Sequence, residues 1–152
     1  QMKPHALQRQ ADLCLKFPSG ELEVRNALCA LTTRLREMAL SADDVGSVEL
    51  VLGEVLNNIV EHAYGAGGQG EIEILVKRAA HVLRFRVIDE GGALPNSALP
   101  EGRLPAMDGP LEAMPEGGFG WYLVRNLACD LDYRRADGRN ELAFSICCEG
   151  QA

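Results

Sequence analysis

The sequence predicts an α+β fold, a two-layer sandwich in which a mixed, mostly antiparallel sheet carries helices on one face. Apolar and polar residues alternate through 71–78 and again through 81–89, with only Ala79 and Ala80 between the two runs. They alternate once more through 130–136 and 140–148, around Asp137-Gly138, a favoured hairpin turn. Between residues 21 and 64 the apolar spacing is instead helical. Strands that follow one another directly pair antiparallel, and helices gathered elsewhere in the chain then cover one face of the sheet.

Taken in order, ADLCLKFP (11–18) alternates Leu13, Leu15 and Phe17 and stops at Pro18, which reads as a strand. From Glu21 to about Leu40, Leu22, Leu28, Leu31, Leu35 and Met38 recur at helical spacing. Ser41-Ala-Asp-Asp44 supplies an N-cap with an acid three residues on, opening a second helix that runs through Tyr64 into the glycine-rich stretch 65–70. After the central hairpin, residues 90–117 have no periodicity. Pro95, Pro100, Pro105, Pro110 and Pro115 recur at a fixed interval and block helix and strand alike. So long a loop in a compact domain reads as a functional lid or a disordered stretch. Gly118-Phe119-Gly120 then open a helix from Trp121 to about Cys129, and the second hairpin completes one domain over 11–148 without internal repeats.

The totals fit that domain. A chain of 152 residues is long enough for a real core, and 47% apolar with 24% charged residues is a globular balance. The net charge of −7 comes from acids spread along the chain, which argues against a nucleic-acid surface but not against a nucleotide whose phosphates are held by a metal and backbone N–H groups. The five cysteines (Cys14, Cys29, Cys129, Cys147, Cys148) lie mostly in apolar runs without metal-ligand spacing, so buried free thiols of a reducing cytosol are expected. The apolar runs fall short of the roughly 20 residues of a membrane helix, and a soluble cytoplasmic protein is expected.

Three places carry chemistry. In GEVLNNIVEHAY (53–64), helical spacing puts Glu54, Asn58 and His62 in one column beside the apolar stripe. A carboxamide is a neutral oxygen ligand suited to Mg²⁺, and a glutamate one turn away can accept a proton from an attacking hydroxyl. The same column also fits a polar strip at the rim of the core, and His62 alone fits a structural hydrogen-bonder. In VIDEGGA (87–93), a strand ends in Asp89 before Gly91 and Gly92, where a carboxylate can accept a hydrogen bond from an exocyclic amine while the glycines let a ligand approach. An acid-capped turn explains it equally well. In EGGFGWYLVRNL (116–127), Gly118 and Gly120 open a helix whose first N–H groups lack partners within it, an end suited to phosphate.

The three motifs in this order resemble those of the GHKL (Bergerat-fold, histidine-kinase-like) ATP-binding domains. Within them they are similar to the anti-sigma-factor serine kinases of the RsbW and SpoIIAB type. Glu54-Val-Leu-Asn-Asn58-Ile-Val-Glu-His62-Ala-Tyr64 resembles the E-x-x-x-N-x-x-x-H-x-Y box, Asp89-Glu-Gly91 the D-x-G box, and Gly118-Phe-Gly120 with the helix after it the G-x-G box. The likeness runs from about Leu13 to Ile146.

The resemblance implies ATP and Mg²⁺ as cofactors. Asn58 would hold the metal and Glu54 would be the catalytic base toward a serine or threonine hydroxyl. Asp89 would bind the adenine amine, with Gly91 giving the ring room. Gly118, Phe119 and Gly120 would lie at the phosphates, His62 would complete the first box, and residues 93–117 would form the ATP lid. It further implies a STAS-domain anti-sigma antagonist as substrate, a sigma factor or another regulator as the captured partner, and a homodimer. Ala93 stands where many GHKL proteins have a second glycine, Pro115-Glu116 where a basic or hydroxyl residue often assists phosphate, and Arg103 is the sole basic residue between Asp89 and Arg125. These departures bear on transfer more than on binding. They keep a second reading open, a nucleotide-binding module that sequesters its partner without kinase activity. A detached histidine-kinase catalytic domain is a third reading and would need its phosphoacceptor histidine in another chain.

Overall fold

The computed structural model describes residues 11–63, 70–94, 99 and 118–148. Its elements run β1 (Leu13–Pro18), α1 (Glu21–Glu37), α2 (Ala42–Asn58), a π turn (Ile59–Ala63), β2 (Glu71–Ala79), β3 (Val82–Asp89), α3 (Gly118–Leu127), β4 (Cys129–Ala136) and β5 (Arg139–Cys147). The five strands form one sheet in the order β1-β2-β3-β5-β4, and all four pairings are antiparallel where the sequence allowed a mixed sheet. The β4–β5 hairpin thus enters the sheet with β5 against β3. That insertion brings Asn140 opposite Asp89.

The helices start and stop for local reasons. The Ser41 hydroxyl accepts the Asp44 N–H at 3.1 Å, and Asp43 and Asp44 face the positive end of α2. Helix α1 ends earlier than its apolar spacing suggests. Ala39 takes φ 63°, its N–H reaches the Arg36 carbonyl and that of Leu40 reaches Leu35, a Schellman closure made without glycine. In the β4–β5 turn both Asp137 (φ 55°) and Gly138 (φ 75°) are left-handed, the geometry that splices neatly into a twisted hairpin.

Inward side chains of the sheet meet the apolar stripes of the helices. Leu31 and Leu35 of α1, Val48, Leu52 and Leu56 of α2, and Val124 of α3 are fully buried against Ile72, Ile74, Leu83, Phe85 and Ile146. Phe85 and Phe144, paired across β3 and β5, stack with ring centres 5.0 Å apart. The other sheet face carries charged residues, among them the Arg86–Glu141 pair at 2.6 Å.

The cysteine expectation needs correction. All five are free, but Cys14, Cys29, Cys129 and Cys147 are exposed and only Cys148 is buried. For Cys14, Cys129 and Cys147 the reason is that an apolar strand run implies burial on both faces only when both are covered, and here helices pack on one; Cys29 lies on the exposed side of α1. No helix among the described residues is long and apolar enough to cross a membrane. The lid expected at 93–117, apart from Ala93, Leu94 and Leu99, lies outside the described residues, as do Tyr64, five of the glycine-rich positions at 65–70, Arg103 and the five evenly spaced prolines.

Candidate functional site

The second half of α2 builds one wall. Val51, Leu52, Val55 and Leu56 face the core, which leaves Glu54 and Asn58 half-buried on the adjoining strip, one turn apart as the column predicts. The column breaks at its third member. At Ile59 the helix widens into the π turn, and in the broader turn residues four apart no longer stack. His62 and Glu61 are exposed there, their side chains 3.9 Å apart, and Glu61 also accepts from Asn57 Nδ2 at 3.4 Å.

The sheet builds the facing wall. Asp89 at the end of β3 is 3% exposed. Its Oδ1 accepts the Gly91 N–H at 2.9 Å and Asn140 Nδ2 at 2.9 Å. Burial pushes the carboxyl above its usual range, while these two donors and the Arg135 guanidinium pull it back. Asn58, Asp89, Leu94, Trp121, Tyr133 and Asn140 all line one small cavity between α2, the sheet and α3. Its free volume, about 20 Å³, holds roughly one water, far below the roughly 300–1,000 Å³ of a ligand pocket. A base enters only if lining side chains such as Leu94 and Trp121 give way.

Helix α3 closes the third side. Gly120, in its first turn, is buried, and the Glu54 carboxylate lies where a Cβ on residue 120 would stand. A carboxylate beside a helix start is favoured by the partial positive charge of its unpaired N–H groups. The Phe119 side chain lies outside the described residues. The structure thus brings Asn58 and Asp89 to one cavity and Glu54 to the start of α3, and leaves His62 outside the cavity lining.

Three residues were given no role at the site from the sequence, although the stretches 129–135 and 140–142 that hold them resemble the last strands of the family. Asn140 Nδ2 donates to Asp89 and to the carbonyls of Gly92 (2.8 Å) and Gly91 (3.3 Å). Its Oδ1 accepts from Tyr133 Oη (2.7 Å) and Arg135 Nη1 (2.8 Å). Tyr133 Oη accepts the Leu94 N–H at 3.1 Å, and Arg135 also donates to the Gly91 carbonyl at 2.8 Å. One signal was readable: Asn140 is a polar residue heading the inward row Leu142, Phe144 and Ile146 of β5.

Comparison with known proteins agrees with this architecture. Residues 17–146 match the family described as histidine kinase-like ATPase domain. The serine-protein kinase RsbW of Bacillus mycoides is 31% identical over 129 residues, 84% of this chain and 80% of that protein. The serine/threonine-protein kinase BtrW of Bordetella bronchiseptica is 32% identical over 100 residues, 65% of this chain and 68% of that one. RsbW of Bacillus cereus is 26% identical over 137 residues, 90% of this chain and 85% of its own. Among solved structures, the RsbU and RsbW domains of Rv1364c from Mycobacterium tuberculosis superpose with a TM-score of 0.58 at 15% identity. That superposition covers 90% of this chain and 32% of that one, and it speaks for the fold alone. With the fold, the ordered motifs and the match across 17–146 in agreement, this chain belongs to the histidine kinase-like ATPase domain family, in its GHKL anti-sigma kinase branch.

Proposed function

We propose that this protein is an ATP- and Mg²⁺-dependent protein serine/threonine kinase of the cytoplasm, that it phosphorylates a STAS-domain antagonist, and that it sequesters a sigma factor or another regulator. The observation that carries the reading is the shared cavity of Asn58 and Asp89, with Glu54 at the start of α3 beside it. In this reading the 11–148 domain works as a homodimer.

The roles follow from chemistry. The Asp89 carboxylate accepts the adenine amine, and Gly91, without a side chain, leaves the ring room. The first N–H groups of α3, at Gly118, Phe119 and Gly120, take phosphate oxygens. Among the described residues no group of three or more His, Cys, Asp or Glu could hold a metal. The Asn58 carboxamide fits an ion that keeps waters and phosphate oxygens as its other ligands, which is how Mg²⁺ is commonly bound. When bound, Mg²⁺ supplies neutralisation of the charge that moves during transfer. Glu54, one helical turn from Asn58, orients a serine hydroxyl of the docked substrate and takes its proton. His62, on the exposed π turn, supports the end of the first motif rather than the cavity itself.

The test is transfer of labelled γ-phosphate to a cognate STAS protein. Wild type should transfer and Glu54→Ala should not; equal rates would end the kinase reading. The single basic residue between Asp89 and Arg125 favours the second reading, a nucleotide-dependent sequestering module. Partner capture that persists alike with ATP and a non-hydrolysable analogue would support that one instead.

A further inference from the structure

We propose that Asn140, clamped by Tyr133 and Arg135, is the positioning residue that fixes the Asp89 carboxylate as an acceptor and so makes this site choose an amine-bearing purine over an oxo-bearing one. The inference rests on the nucleotide reading above and adds the origin of base preference.

The orientation of the amide is determined by its partners. Asn140 Oδ1 receives two unambiguous donors, the Arg135 guanidinium and the Tyr133 hydroxyl, at 2.8 and 2.7 Å. Tyr133 spends its acceptor lone pair on the Leu94 N–H, so its own proton points at Asn140. On the other side Nδ2 faces three oxygens, Asp89 Oδ1 and the carbonyls of Gly91 and Gly92. A flipped amide would set oxygen against oxygen at three contacts and nitrogen against a guanidinium. Only one orientation satisfies the shell.

That orientation has two consequences at once. It ties the backbone of 91–94 to β4 and β5, which sets where a base can lie. It also gives a buried carboxylate a neutral donor. Burial alone drives Asp89 toward its protonated form, and Asn140 heads the interactions that oppose this, followed by the Gly91 N–H and Arg135. Among the described residues of the other elements at this cavity, α2 presents Asn58, α3 presents Trp121, and β2 pairs Ile72 with Asp89. Glu90, the next residue along, is exposed.

An ionised Asp89 accepts from an exocyclic amine and repels a ring carbonyl. A protonated one can donate to that carbonyl, so discrimination weakens. Specificity and protonation at this site are therefore one property, and Asn140 controls both.

The experiment measures ATP and GTP affinities of the full chain from neutral to mildly acid pH. The proteins are wild type, Asn140→Ala, Asn140→Ser, Tyr133→Phe and Asp89→Asn, with unfolding curves for each. Wild type should prefer ATP and lose that preference on acidification. Asn140→Ala should lower the ATP:GTP ratio at neutral pH by about tenfold and move the loss to higher pH. Asn140→Ser, which keeps one donor, should recover part of both, and Tyr133→Phe should shift both less in the same direction. Unchanged ratios and pH midpoints in folded variants overturn the inference; if Asn140→Ala does not fold, Tyr133→Phe decides by the same criterion. Loss of ATP preference in Asp89→Asn alone leaves the nucleotide reading standing and removes only this one. Intact ATP affinity in Asp89→Asn removes the adenine role of Asp89 and this inference with it, whereas a wild type that binds neither nucleotide removes the nucleotide reading itself.

Discussion

The carboxylate of Glu54 occupies the place of the Cβ that Gly120 lacks. Helices α2 and α3 meet through this contact, so the residue assigned as base and the helix start assigned to phosphate are held together by a missing methyl group. Gly120→Ala separates stability from activity. The colliding atoms end a flexible side chain and can swing away, while alanine improves a helical position by roughly 1 kcal/mol. Urea unfolding should therefore show equal or slightly higher stability. Phosphotransfer should fall by roughly a hundredfold, the low end of a displaced general base. A parallel fall in both quantities would contradict this account.

Asp89→Asn should also separate the two properties. The folded chain holds the Asp89 proton more tightly than the unfolded chain, whose value lies near 3.8. The stability linked to that proton is present below this value and is lost as pH rises through the folded-state pKa, so the ionised group weighs against folding at neutral pH. Asparagine keeps an oxygen for the Gly91 and Asn140 donors and removes the charge. The melting temperature should rise at neutral pH, with a gain that shrinks toward nothing as pH falls to about 3.8, while ATP affinity drops. Melting curves across pH with calorimetric titration of ATP check both halves.

Ala39→Gly should stabilise the protein. Alanine at φ 63° carries the left-handed penalty of about 1–2 kcal/mol, which the added backbone entropy of glycine only partly cancels. A gain of roughly 0.5–1 kcal/mol in denaturant unfolding is expected. A loss would mean that the Schellman closure is not maintained in solution.

Thiol accessibility tests the cysteine placement. Under native, reducing-agent-free conditions an aromatic disulfide reagent should modify four cysteines rapidly and leave Cys148 until the chain unfolds. Protection of Cys14 or Cys29 would show that their surfaces are covered in solution.

Much of the fold was legible because it is local. The two hairpins follow from alternation and from Asp137-Gly138, and the start of α2 follows from Ser41 and Asp44. What was not legible depends on distance or on competing geometries. The insertion of β5 beside β3 joins residues about fifty positions apart, and Asn140 acquires its role only through that pairing. The π turn left no trace, since Ile-Val-Glu-His-Ala continues an acceptable helical pattern. The sequence named Glu54, Asn58 and Asp89 by chemical type and put the first two on one helix strip; that Asp89 joins Asn58 at one cavity was set by tertiary packing.

The π turn at Ile59–Ala63 also bears on how this helix tolerates changes in length. A π turn holds one residue more than an α turn, so removing a single residue there would restore a regular helix instead of breaking one. Everything beyond the deletion would then keep its place around the axis, and the histidine would follow the asparagine by three residues instead of four. The surplus residue is absorbed where it stands, so the helix can lose it without turning its far end.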